Sequence, residues 1–251
     1  MSESFQDVIG SIYNWLLESE SAYALTGAGV STDSGIPDFR GRDGLWKGRD
    51  PMEVASRRAL YDHPETFFEF WADRFSELGD ASPNITHKVL VELEESGLLN
   101  GVVTQNIDGL HVESGSQQVF QLHGNFKVSR CEGCGREIPT DRLLQRFKNE
   151  GVPRCEDCEG LIRPDVVLFN EQLPEAFTEA EEELTRSDLL LVLGTSLGVY
   201  PVASLVPHFN RTGGRLVIIN NQPTTYDDIA DIVHHGDLAP AMSSLKNRLD
   251  F

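Results

Sequence analysis

The sequence has little positive charge. Lysine occurs five times in 251 residues, as Lys47, Lys88, Lys127, Lys148 and Lys246, and lysine plus arginine reach 21 against 40 aspartates and glutamates, a formal net charge of -19. A surface of that sign repels nucleic acid and anionic membranes, so neither is expected as a direct partner. Long apolar runs are missing as well. No stretch approaches the ~18 to 20 residues needed to cross a bilayer. The start, MSESFQDVIGSIYNW, has neither the basic flank nor the apolar core of a secretion signal. The expected setting is the cytoplasm. An acidic, lysine-poor surface also predicts adaptation to high salt, where screening over about 3 Å at 1 M removes the self-repulsion.

What is present begins with Thr26 to Arg40, TGAGVSTDSGIPDFR, which follows the short apolar run Tyr23, Ala24, Leu25. Gly27, Gly29 and Gly35, with the small residues Ala28, Ser31, Thr32 and Ser34 between them, let a backbone approach a ligand and turn N–H groups toward phosphate. That pattern predicts a nucleotide cradle between a strand and a following helix. Thr32 stands where the dinucleotide fingerprint has its third glycine or alanine, and no strand ending in an acidic residue follows about 20 residues on. An ordinary dehydrogenase is disfavoured, and a loop that merely turns the chain remains the plain alternative.

The rest of the chain repeats strand, turn and helix, and its length suits one sizeable α/β domain plus a smaller module. Phe5, Val8, Ile9, Ile12, Trp15 and Leu16 predict an amphipathic helix over residues 4–18. Phe67, Phe68, Phe70, Trp71 and Phe75 predict a helical module whose aromatics are core rather than a ligand cage. Ser82 and Pro83 look like the cap and first position of a helix that stops near Gly97. Buried strands are expected at 101–104, 119–122, 162–169, 189–193 and 215–219, with helices at 175–186, 202–209 and 238–249. Several strands exit into polar residues, where α/β folds bind ligands: Gln105, Asn106 and Asp108, then His123, then Thr195 and Ser196, then Asn220. His123, at a strand end and followed by Gly124, reads as a general base rather than a structural histidine.

Cys131, Cys134, Cys155 and Cys158 form two CxxC pairs twenty residues apart and use every cysteine in the chain. Tetrahedral zinc needs four thiolates from two close turns, and this spacing supplies them. Two disulfides are the weaker rival in a reducing compartment. With all positions filled by cysteine, one structural Zn2+ is expected, with no open coordination site.

Taken together and in order, GAGVSTDSGIPDFR, TQNIDGLH, His123-Gly124, both CxxC pairs, RPDVVLFNE and GTSLGVYP resemble the sirtuin family of NAD-dependent protein deacylases, in a prokaryotic-type member. The resemblance spans nearly the whole chain. It implies an α/β fold with a Rossmann-like doubly wound parallel sheet (1–41, 82–126 and 164–251) and a smaller domain made of a helical module (42–81) and a four-cysteine zinc ribbon (127–163). NAD and an acetylated-lysine protein substrate would meet in the cleft between them. By the same resemblance, Ala28, Thr32, Phe39 and Arg40 contact the cofactor from the first loop. Gln105, Asn106, Ile107 and Asp108 shape the nicotinamide and ribose pocket, with Asn106 and His123 catalytic. Thr195, Ser196, Asn220, Asp237 and Leu238 hold the adenosine half. Val167 and Phe169 line the acyl-lysine tunnel, and the substrate adds as a strand between them and the segment around Val199. The implied products are free lysine, nicotinamide and an O-acyl-ADP-ribose.

Two positions depart from the family pattern: Asn170 replaces the usual glycine, and Gly198 stands where many members carry a larger residue. Members selective for succinyl or malonyl groups carry a tyrosine and an arginine where Trp71 and Arg74 are the nearest candidates here. The reading is therefore a lysine deacetylase, with succinyl/malonyl-lysine deacylation or protein mono-ADP-ribosylation as alternatives. A zinc-ribbon nucleic-acid binder is opposed by the net charge, and a non-catalytic NAD sensor by the intact His123, Asn106 and Asp108. No feature of the sequence assigns an oligomeric state.

Overall fold

The computed structural model describes residues 4–38, 44, 46, 48–79 and 81–249, excepting the side chains from 74 to 79. Its strands are β1 (Ala22–Thr26), β2 (Gly101–Thr104), β3 (Val119–Gln121), β4 (Gly124–Cys131), β5 (Glu137–Pro139), β6 (Ile162–Val166), β7 (Leu189–Leu193), β8 (Arg215–Asn220) and β9 (Ile232–His235). Its helices are α1 (Phe5–Glu18), α2 (Pro51–Val54), α3 (Arg57–Asp62), α4 (Pro64–Gly79), α5 (Ile85–Glu95), α6 (Leu110–Ser114), α7 (Thr140–Glu150), α8 (Glu175–Arg186), α9 (Leu205–Asn210) and α10 (Leu238–Leu249). No helix among the described residues is long and apolar enough to cross a membrane.

Six strands form one sheet in the order β3-β2-β1-β7-β8-β9, every neighbour parallel. A parallel sheet covered by helices on both faces needs strands that are apolar throughout. The central strands β1, β2 and β7 are buried at every position. Successive side chains alternate between faces. Ala22, Ala24, Leu189 and Leu191 pack with α1, α5 and α10. Tyr23, Leu25, Leu190 and Val192 pack on the opposite side with α8 and α9. The chain leaves β1 in one direction through β2 and β3, and in the other through β7, β8 and β9. Loops that follow β1 and β7 therefore face each other at the point where the strand order reverses, the ligand crevice of doubly wound sheets.

A second, three-stranded antiparallel sheet, β5-β4-β6, holds Cys131 at the end of β4, with the other cysteines in the turns between its strands. Its strands begin at Gly124 and end at Val166. It shares one apolar cluster with the helical segment. Phe67, Phe68, Phe70 and Trp71 are buried there with Phe126, Leu143, Ile162 and Val166.

Three local expectations are corrected. No α-helix follows the glycine turn; the chain makes two short 3-10 turns, Ala28–Val30 and Thr32–Ser34, before Gly35 at φ +84° ends them. Thr32 returns its hydroxyl to the Gly29 carbonyl at 2.9 Å, the local bond by which such residues compete with a helix. Helix α5 is capped by Asn84, not by Ser82: Asn84 accepts from Thr86 N–H at 2.9 Å while its own N–H donates to His87 Nδ1 at 3.3 Å. Between 202 and 209 the expected helix is split, a 3-10 turn over Val202–Ser204 preceding α9.

Candidate functional site

Strand ends deliver the site. Thr26 of β1 stands in register with Thr104 of β2 and Leu193 of β7, so the residues that follow all three emerge at one level. Together with the exits of β3, β8 and β9 they line a cleft of about 390 Å³.

The two central loops touch through backbone. Gly27 N–H donates to the Leu193 carbonyl at 3.1 Å, and Gly29 N–H to the Gly194 carbonyl at 2.8 Å. A Cβ on Gly27 would stand 2.6 Å from Thr195 Cβ, and one on Gly29 would stand 2.8 Å from the Gly194 oxygen. Both glycines are therefore required by loop against loop, a demand the sequence did not signal, and both also line the cleft. The wall open to a ligand is the next residue along, since the loop N–H groups of Thr195 and Ser196 have no hydrogen-bond partner among the described residues.

Hydrogen bonds fix the polar residues. Asn106 is buried; its amide donates to the Gly27 carbonyl and to Ser31 Oγ, both at 3.1 Å, and its N–H donates to Thr104 Oγ1 at 3.0 Å. Gln105 ties its loop to the other side of the cleft by donating to Thr195 Oγ1 at 3.0 Å. His123 Nδ1 lies 3.0 Å from the Gln105 carbonyl. A carbonyl only accepts, so Nδ1 carries the hydrogen and Nε2 keeps the lone pair. Burial lowers the His123 pKa, partly offset by that carbonyl, and the ring is neutral at pH 7. The arrangement is that of a neutral, oriented base.

Of the expected contacts, Ala28, Thr32, Gln105, Asn106, Ile107, His123, Thr195, Ser196, Asn220, Asp237 and Leu238 all line the cleft. Asp108 does not. It is buried behind Ser31, whose hydroxyl it accepts at 2.7 Å, and it accepts the Leu110 N–H at 2.9 Å; burial raises its pKa. Phe39 and Arg40 lie outside the described residues, as does the Arg74 side chain.

Val167, Phe169 and Val199 line the same cleft. The Val167 N–H donates to the His123 carbonyl at 2.9 Å, and Phe169 pairs with the Ala55–Arg57 backbone through bonds of 2.9 and 3.3 Å. Asn170, at φ +69°, occupies the left-handed region that asparagine tolerates best after glycine. Tyr200 and Asn221, beside the expected Val199 and Asn220, also line the wall, and Trp46 and Ala55 are wall residues that the sequence did not single out. Trp46 stacks on Phe70 at 5.6 Å, a contact between positions whose spacing gives no signal.

The four cysteine sulfurs lie within 4.8 Å of one another, and the chain holds them as free thiols. Zn–S bonds of about 2.3 Å in a tetrahedron place sulfurs about 3.8 Å apart. Cys131 and Cys158 stand at 3.4 Å and Cys134 and Cys155 at 3.7 Å, too far for disulfides. The donor set fits zinc with no position left for water.

Fold and site together define a nucleotide-cleft α/β protein with a metal-knuckle insertion. A model of the Sir2 family matches residues 27–201. The chain belongs to that family. It is 45% identical over 235 residues to an NAD-dependent protein deacetylase of Caldivirga maquilingensis, covering 93% of this chain and 91% of that one. It is 46% identical over 219 residues to one of Sulfolobus acidocaldarius, covering 87% and 86%. Among solved structures, Sir2 with a deacetylated p53 peptide and 3'-O-acetyl ADP-ribose superposes with a TM-score of 0.92 at 39% identity, covering 96% of this chain and 98% of that one. Sir2 with a p53 peptide and NAD+ gives 0.88 at 38%, over 96% and 98%.

Proposed function

We propose that this chain is an NAD-dependent protein-lysine deacetylase that passes the acetyl group of a modified lysine to ADP-ribose and releases nicotinamide. The observation that carries it is the His123 imidazole, neutral and oriented by Gln105, on the wall of a cleft whose other side is the Thr195 loop. NAD, when bound, supplies the ribose carbon to which the acyl oxygen adds and the leaving nicotinamide. His123 Nε2 takes the proton of a ribose hydroxyl, help that is typically worth roughly 10² to 10⁴ in rate. Asn106 shapes the pocket floor beside it, and the Thr195 and Ser196 N–H groups hold polar ligand atoms. Phe39 and Arg40 are assigned to the cofactor, and Asp108 to the nicotinamide pocket, by family resemblance. Val167, Phe169 and Val199 hold the acyl-lysine and its backbone. The cysteines hold a structural zinc.

Acetyl is favoured over acidic acyl groups by charge. Among the described lining residues none is Lys or Arg, while Asp33, Asp38 and Asp237 are acidic and Glu171 is already paired with Arg163. A succinyl or malonyl carboxylate would meet like charge there. The two sheets support the division into a Rossmann-like domain with a helical module and a zinc ribbon. Metal-spaced free thiols support a cytoplasmic setting.

The test is mass spectrometry of an acetyl-lysine peptide incubated with zinc-loaded protein, with and without NAD. Loss of acetyl only with NAD, matched by nicotinamide and O-acetyl-ADP-ribose, is expected. His123→Ala should lose turnover by at least about 10² while NAD binding persists. Unchanged turnover in that variant would sink the assignment, and ADP-ribose left on the peptide would point to the transferase alternative.

A further inference from the structure

The segment proposed to hold the acyl-lysine is fastened by one largely buried ion pair. Arg163, in β6, spreads its guanidinium over two carboxylates and a carbonyl. Its Nε donates to Glu132 at 2.7 Å, its NH2 to both oxygens of Glu171 at 3.0 and 3.1 Å, and its NH1 to the Val166 carbonyl at 2.6 Å. Glu171 in turn accepts the Leu168 N–H at 2.9 Å. Backbone groups on both sides of Val167 are thus held by the same pair, whose side chains are only 13% and 11% exposed.

The other end of the guanidinium reaches the cysteine knuckle. Glu132 lies between Cys131 and Cys134 in sequence, and its N–H donates to the Leu161 carbonyl at 2.9 Å. Its carboxylate also accepts the Tyr61 hydroxyl at 2.9 Å, and Arg163 holds its pKa down against the effect of burial. Arg57 reinforces the same two carboxylates from the helical segment, 3.4 Å from Glu171 and 3.9 Å from Glu132. A planar fork has a fixed geometry, so moving one carboxylate disturbs the other.

We infer that Arg163 and Glu171 are positioning residues that couple the metal state of the cysteine knuckle to the Val167–Phe169 segment, and through it to acyl-peptide binding. The peptide part rests on the deacetylase reading above. With metal bound, four sulfurs fix the turn that carries Glu132. Glu132 holds Arg163, Arg163 holds Glu171 and the Val166 carbonyl, and Glu171 holds Leu168. Losing the metal frees the first link, and the segment loosens while the parallel sheet stays intact.

Hydrogen exchange read by mass spectrometry, on the full chain with zinc and after chelation, tests this without using activity. In Glu171→Gln, peptides covering Val167 to Phe169 should exchange about tenfold faster than in the parent, as expected for loss of a charge-assisted bond, with β1 and β7 unchanged. Chelation should speed the same peptides in the parent and add little in E171Q. Arg163→Lys keeps the charge without the fork and should behave as E171Q does. In steady-state assays E171Q should raise the KM for an acetyl-lysine peptide about tenfold, with a smaller change in kcat and the NAD affinity retained.

Unaltered exchange at these residues in E171Q overturns the inference. So does chelation that acts as strongly in E171Q as in the parent, or a variant in which exchange rises uniformly and NAD affinity falls with peptide affinity. Zinc-loaded parent that releases no acetyl group would remove the deacetylase reading, while the exchange data would still decide the coupling.

Discussion

At the scale of single residues, two kinds of histidine respond to acid in different ways. His123 must be neutral to accept a proton, and burial holds its pKa below 6.5. The acid limb of kcat/KM should therefore fall below pH 6.5, and a limb centred above pH 7 would contradict the assignment. His87 and His111 are fully buried with ring centroids 4.7 Å apart. His87 Nδ1 accepts from Asn84 and Thr26 donates its hydroxyl to Thr104, so His111 Nε2 must donate to Thr26 Oγ1 at 2.9 Å. That leaves a donor, His87 Nε2, and an acceptor, His111 Nδ1, each without a partner among the described residues. Burial pushes their pKa values down to about 4 and about 3, aided at His111 by His87. The unfolded chain takes up these protons near pH 6.5, well before the folded one. Stability present above pH 6.5 is thus lost as the pH falls toward 4. Between pH 7.5 and 5 the urea midpoint should drop by the equivalent of about 2 kcal/mol per ring, and His87→Gln should flatten the curve. Asn170 shows the limit of reading residues singly. As a letter it departs from the family; as a conformation, at φ +69°, it keeps the turn.

Among the elements, those with a strong period or an unbroken apolar run were legible. The bounds of β7 and α10 agree with the sequence reading to the residue, as do those of α8, which reads as an acidic helix. Elements without such a pattern were not: β9 reads IVHH, β5 is three residues with a proline, and α7 is mostly polar, packing through Leu143 against the ribbon. The cap of α5 is not legible because Asn84 and Ser82 offer the same chemistry and only packing selects one. The β1 and β7 loops show a subtler failure. Glycine was legible at 27 and 29, but its partner across the cleft, Gly194, is distant in sequence. Gly27→Ala should push Thr195 away and destabilise by about 1–3 kcal/mol, with weakened NAD binding, measurable by thermal denaturation and calorimetry. Full stability and affinity in that variant would mean the two loops can separate without consequence.

For the whole molecule, the charge of -19 sets a condition on the medium. Self-repulsion among so many carboxylates is screened over about 3 Å at 1 M salt. Thermal stability and deacetylation should rise from dilute buffer to molar KCl, and a fall over that range would refute the high-salt habitat. Chain order sets another condition. Strand β1 pairs with β7, whose first residue is encoded about 160 positions later. At roughly 5–20 residues per second of synthesis, that interval lasts about 8–30 s. Until it ends β1 can pair on one edge at most, with β2 once residues 101–104 have been made, and the Gly27 loop has no Gly194 loop to rest against. A polypeptide released before Leu189 would carry the complete cysteine knuckle and no cleft.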